Sequence, residues 1–149
     1  MTNAQTDLLY DKDFVGWTEQ TAKLLREGRF NEIELEPLID EVESLGRSDK
    51  RQLESRLTVL YEHLLCIDYW IPEYEREQNR RGWQLTINEQ TRKINELLAE
   101  SPSLKPYCLS LQESCYKTAR SNFLLKSGRE HDLDVVVPEK LCYAGLINA

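Results

Sequence analysis

A chain of 149 residues is the size of one domain and can bury about 70% of its unfolded surface without disulfide or metal staples. With 40% hydrophobic and 30% charged residues it lies in the globular range, away from the composition that keeps chains disordered. The net charge of -7 repels phosphate backbones and no dense run of Lys and Arg overrides it, so no nucleic-acid partner is expected.

No apolar run reaches the roughly 18 residues of a membrane span, and Met1 to Leu9 lacks the basic-then-apolar design of a signal peptide. A cytoplasmic protein is expected. In chain order, Asp11 or Asp13 caps a first helix carrying Phe14, Trp17, Leu24 and Leu25, and Gly28 ends it near Glu27. Leu35, Leu38, Ile39, Val42 and Leu45 form the stripe of a second helix, with Pro37 in its first turn. Gly46 is read as its end and Ser48 as the cap of a third helix, giving an antiparallel hairpin around Leu45 to Ser48. In that third helix Leu53, Leu57, Leu60, Leu64 and Ile67 recur at steps of four and three up to about Trp70.

Pro72 to Gly82 is the most polar stretch and reads as a surface connection. A fourth helix carries Trp83, Ile87, Ile94, Leu97 and Leu98 and stops at Glu100, before Ser101-Pro102. Ser103 and Pro106 open a fifth, with Tyr107, Leu111, Cys115, Ala119 and Phe123 at helical spacing up to Gly128. From His131 to Ala149 the run Val135 to Val137, then Pro138, Leu141, Tyr143, Leu146 and Ile147, predicts an extended apolar strap with a final turn of helix. The expected architecture is all-α: one domain over 1–149, with a bundle of about five helices at 10–130 and the strap at 131–149. Trp17 and Trp83, each in phase with an apolar stripe, are expected as core anchors.

Cys66, Cys108, Cys115 and Cys142 form no C-x-x-C pair and read as reduced, hydrophobic thiols. His63 and His131 are the only histidines, which excludes a three-histidine metal site. Leu60 and Gly128 stand where a di-iron bundle needs glutamates, three residues before each histidine. His63 falls about 80° from the centre of its stripe at 100° per residue, and Glu41 flanks the stripe of the preceding helix. On facing helices the two form a polar pair, read here as structural and free of metal; a divalent cation held by His63 and Glu41 is the alternative. The acidic run Glu32, Glu34, Glu36, Asp40, Glu41 and Glu43 reads as a solvated face, and Arg76, Arg80 and Arg81 near Trp83 as a solvated loop or a surface contact for an anion. Phosphate-loop, nucleophile-elbow, H-E-x-x-H and EF-hand patterns do not occur.

Leu9-Tyr10-Asp11 with Phe14 and Trp17, the word LIDEVESLGR from Leu38 to Arg47, Leu53 to Leu57 leading to His63-Leu64-Leu65, Gly82-Trp83, and Ser101-Pro102-Ser103-Leu104 follow in order. On these words the chain resembles, over nearly its whole length, the bacterial family called domain of unknown function 29. The resemblance implies an all-α bundle and no activity. Family members tend to have a basic residue after the His-Leu-Leu word, where this chain has Cys66-Ile67. The functional expectation is a binding or protein-interaction module, with an unknown protein partner or self-association and no cofactor. Its alternative is a metal-dependent, hydrolase-like enzyme using a mixed His/carboxylate site.

Overall fold

A computed structural model describes residues 8–128, 137–141, 143, 145 and 147. Among them the fold is all-α, with helices α1 (Leu9–Lys12), α2 (Phe14–Arg26), α3 (Leu35–Tyr69), α4 (Glu73–Glu100) and α5 (Leu104–Ser127), and no strand. The chain divides into two compact units, Met1–Ser48 and Asp49–Ala149.

In the N-terminal unit the Asp13 carboxylate caps α2, accepting from the Gly16 amide at 3.0 Å. Gly28 follows the helix at a φ of 70°, the left-handed conformation that suits a residue without Cβ. A short 3-10 turn, Phe30–Glu32, leads to α3. Trp17, Thr21 and Leu24, spaced four and three apart, are the buried positions of α2.

The expected break at Gly46 does not occur: α3 runs 35 residues through it, so the predicted helical hairpin at Leu45 to Ser48 is corrected to one continuous helix. A glycine inside a helix costs only about 1 kcal/mol relative to alanine, too little to end a helix whose neighbours support it. Gly46 is not among the positive-φ glycines, and the Arg47 guanidinium reaches back across it to Glu43 at 3.5 Å.

The C-terminal unit holds the main core. Leu53, Leu57 and Leu60 of α3, Ile94 and Leu98 of α4, and Tyr116 and Phe123 of α5 are at most 1% exposed. Leu64 and Ile67 are only half-buried, because the continuous helix turns Tyr61, Leu65 and Cys66 inward beside them. Trp83 packs partly buried against the core, its ring 5.5 Å from that of Trp70, whereas Trp17 is fully buried in its own unit.

Pro72 to Gly82 is also corrected, from surface loop to the opening of α4. Its charges sit three and four apart and pair along the helix: Arg76 with Glu73 at 3.7 Å and Arg80 with Glu77 at 2.9 Å. Glu73 and Glu75 occupy the first turn, where the helix dipole favours acid, and the Trp70 indole N–H donates to Glu75 at 3.1 Å.

The described part of the tail behaves as an apolar strap. Val137 is 2% exposed, and Leu141, Tyr143 and Ile147 pack against the core. The Tyr116 hydroxyl donates to the Pro138 carbonyl at 2.6 Å, Arg120 donates to the Val137 carbonyl at 3.2 Å, and the Tyr143 hydroxyl donates to Asp68 at 2.8 Å. The expected final turn of helix is not formed by the described tail residues. Met1 to Asp7, His131, Val135, Val136, Cys142 and Leu146 lie outside the described residues.

Candidate functional site

The N-terminal unit concentrates exposed apolar surface. Of the twelve large hydrophobic side chains exposed among the described residues, eight fall here: Phe14, Val15, Leu25, Phe30, Leu35, Ile39, Val42 and Leu45. Such residues scattered singly are ordinary, but a contiguous set marks a binding surface. Several of these line one groove of about 330 Å³ between α2 and the first turns of α3, with Phe14, Trp17 and Leu25 on one wall and Leu38, Val42 and Leu45 on the other.

The spacing of the α3 wall explains how sequence builds it. Leu35, Leu38, Val42 and Leu45 step by three, four and three, which aligns them in a seam along one helix face. Leu45 is 70% and Val42 59% exposed, so the seam is apolar but uncovered.

At one end of the groove an aromatic cluster fixes the α2 wall. Tyr10 meets Trp17 edge-on at 4.9 Å and Phe14 at 5.9 Å, and the Tyr10 hydroxyl donates to Glu41 at 2.5 Å. That bond to a carboxylate, followed by desolvation, raises the Tyr10 pKa. Sequence reading missed this link between the LYD and LIDEVESLGR words. Local spacing carries no signal for it, because Asp13 interrupts the helix between Tyr10 and Phe14 and Glu41 is 31 residues away from Tyr10.

Glu41 therefore lines the groove and is engaged by Tyr10. His63 is half-buried in the C-terminal unit, where its Nδ1 lies 2.8 Å from the Val59 carbonyl, one turn back. Both residues stand on α3, so the facing flanks on which their pairing was expected do not exist. No group of three or more His, Cys, Asp or Glu among the described residues is placed to hold a metal ion.

Arg80 and Arg81 line a shallow depression on α4 with Glu77, Gln84 and Leu85, and Arg80 is held by Glu77. Trp83 turns instead toward Trp70, so the three residues do not form a common contact.

The C-terminal unit carries one buried acid that periodicity did not reveal. Glu62 is 6% exposed and accepts from Lys126. Beside it the Cys66 thiol is pushed up to about 12, first by burial and then by the Glu62 charge, and burial likewise raises Cys108 and Cys115. Thiols held protonated in this way are poor nucleophiles, and these cysteines pack as small hydrophobes.

Among the described residues no helix is long and apolar enough to cross a membrane. No curated protein and no solved structure matches the chain. A family model, domain of unknown function DUF29, matches residues 9–144, and by that match the chain belongs to this family.

Proposed function

We propose that the protein is a helical protein-interaction module of the bacterial cytoplasm, and that the groove between α2 and the first turns of α3 is its docking face. One observation carries this reading: of the twelve large hydrophobics exposed among the described residues, eight lie in the first 48, and four of them, Phe14, Leu25, Val42 and Leu45, line the groove. A groove walled by helical seams is the shape that receives an amphipathic helix. Three protonated, buried thiols accord with a reducing compartment.

The metal-dependent hydrolase alternative drew on a histidine and a carboxylate on facing helices, and the continuity of α3 removes that support. A photo-crosslinking residue at Val42, introduced in living cells, tests the docking reading. A discrete protein adduct is expected from Val42 and none from Leu109, which is equally exposed on α5. Equal labelling from both positions, or none from Val42, overturns it.

A further inference from the structure

We propose that α3 carries a hinge at Ser44–Ser48, about which the N-terminal and C-terminal units reorient while each keeps its own core. The proposal stands on the helix itself and does not depend on the docking reading above. The division between the two compact units falls between Ser48 and Asp49, inside a continuous helix of 35 residues.

That part of the helix is bare. Val42 to Ser48 are all exposed, seven consecutive residues and nearly two full turns, so every side of the helix meets solvent there. Elsewhere along α3 no more than three residues in a row are exposed. The anchors stop on either side. Toward the N-terminus the last polar anchor is Glu41, which accepts from Tyr10 of α1; toward the C-terminus Lys50 stands over the Tyr107 ring at 5.2 Å and Leu53 is fully buried. Between them Arg47 reaches Glu43 at 3.5 Å, a contact along the helix and not to another element.

Composition weakens the same stretch. Gly46 has nothing within 4 Å of the point where a Cβ would stand, and Ser44 and Ser48 lie two residues to either side. Glycine disfavours a helix interior through backbone entropy, and serine through competing hydrogen bonds to nearby backbone groups. A helical stretch without tertiary cover relies on propensity alone, and short helices of that kind are marginal in water. Opening this one breaks backbone bonds that water replaces and uncovers no core, so it costs far less than opening either unit. Hinges sit in a few residues, often small, that absorb the dihedral change. Leu45, at the end of the groove wall, lies on the hinge and moves with it.

The test uses the full-length chain in a Cys142→Ser background, where Cys66, Cys108 and Cys115 are buried. Spin labels on cysteines introduced at Glu19 and Leu109 report between the units, and labels at Leu85 and Leu109 report within the C-terminal one; all three positions are exposed. Pulsed paramagnetic resonance should give a broad distance distribution for the first pair and a narrow one for the second. The triple variant Ser44→Ala, Gly46→Ala, Ser48→Ala, which raises helix propensity at three exposed positions, should narrow the first and leave the second unchanged. Amide exchange supplies the second measurement. The amides of Gly46 to Lys50, whose carbonyl partners fall in the bare stretch, should exchange at least about a hundredfold faster than those of Leu57 to Leu65 in the same helix. The triple variant should slow them by about tenfold.

A distribution between the units as narrow as the internal one, or exchange at Gly46 to Lys50 as slow as at Leu57 to Leu65, makes α3 a rigid connection and overturns the hinge. A breadth that the triple variant leaves untouched places the motion elsewhere and overturns it as well.

Discussion

Replacing Gly46 by alanine separates the continuous α3 from the hairpin that the sequence suggests. In the structure Gly46 lies inside the helix, is not among the positive-φ glycines, and has nothing within 4 Å of the point where a Cβ would stand. Alanine there removes unfolded-state freedom without strain, so Gly46→Ala should stabilise by about 0.5 to 1 kcal/mol. For a chain of this length that corresponds to a melting temperature higher by roughly 1 to 4 °C. Gly28, at a φ of 70°, is the opposite control. Its alanine variant should lose about 1 to 2 kcal/mol, because an L side chain is strained in the left-handed region. Melting followed by far-UV circular dichroism measures both, and amide exchange around Leu45 to Asp49 should slow in Gly46→Ala. If Gly46→Ala instead melts lower, as Gly28→Ala does, Gly46 terminates a helix and the continuous α3 is wrong.

Phe123, fully buried with its ring 6.1 Å from that of Trp70, should cost about 3 to 5 kcal/mol on truncation to alanine. Leu125, two residues on and 63% exposed, should cost under about 0.5, and equal losses in a denaturant titration would misplace the α5 core face. Tyr116→Phe should lose about 1 kcal/mol by leaving the Pro138 carbonyl without its donor, and an unchanged midpoint would free the strap from that bond. In a Cys142→Ser background the native protein should resist thiol titration at pH 8. With the Cys66 thiol raised by folding, the stability it contributes is complete below the ordinary value of 9.0 and is lost as pH rises toward about 12. Rapid native labelling, or no alkaline loss of stability, would contradict it. Zinc should leave the wild-type melting curve and that of His63→Gln unchanged; a shift in the wild type alone would restore the metal-site alternative.

How much of the fold was legible depended on whether a pattern had one physical reading or two. Leu53, Leu57 and Leu60 repeat at helical spacing, and that spacing has one reading, a buried face; all three are at most 1% exposed. Gly46 suits a helix end or a tolerated helix interior, and the roughly 1 kcal/mol cost of an interior glycine is too small for the pattern to exclude the second, which the structure adopts. Polarity in Pro72 to Gly82 likewise suited a loop or a solvated helix, and the spacing of Glu73 and Arg76, then Glu77 and Arg80, decides for the helix. Glu62 was illegible because its partner, Lys126, comes from another helix 64 residues away, and local periodicity carries no information about that distance.

The groove shows why an apolar stripe is a weaker statement about a core than it looks. Leu38, Val42 and Leu45 read as core positions, and their spacing is as regular as that of Leu53, Leu57 and Leu60; yet Val42 and Leu45 are more than half exposed. Periodicity reports which face must be covered, not whether the cover belongs to the same chain. The distinguishing information is the company the stripe keeps. Glu41 lies in the groove itself, where it accepts from Tyr10, and the N-terminal seam meets solvent rather than a third apolar face. The C-terminal stripe instead meets Ile94, Leu98 and Phe123. Eight of the twelve large hydrophobics exposed among the described residues fall in these 48 residues, and the docking proposal rests on that concentration of uncovered apolar surface.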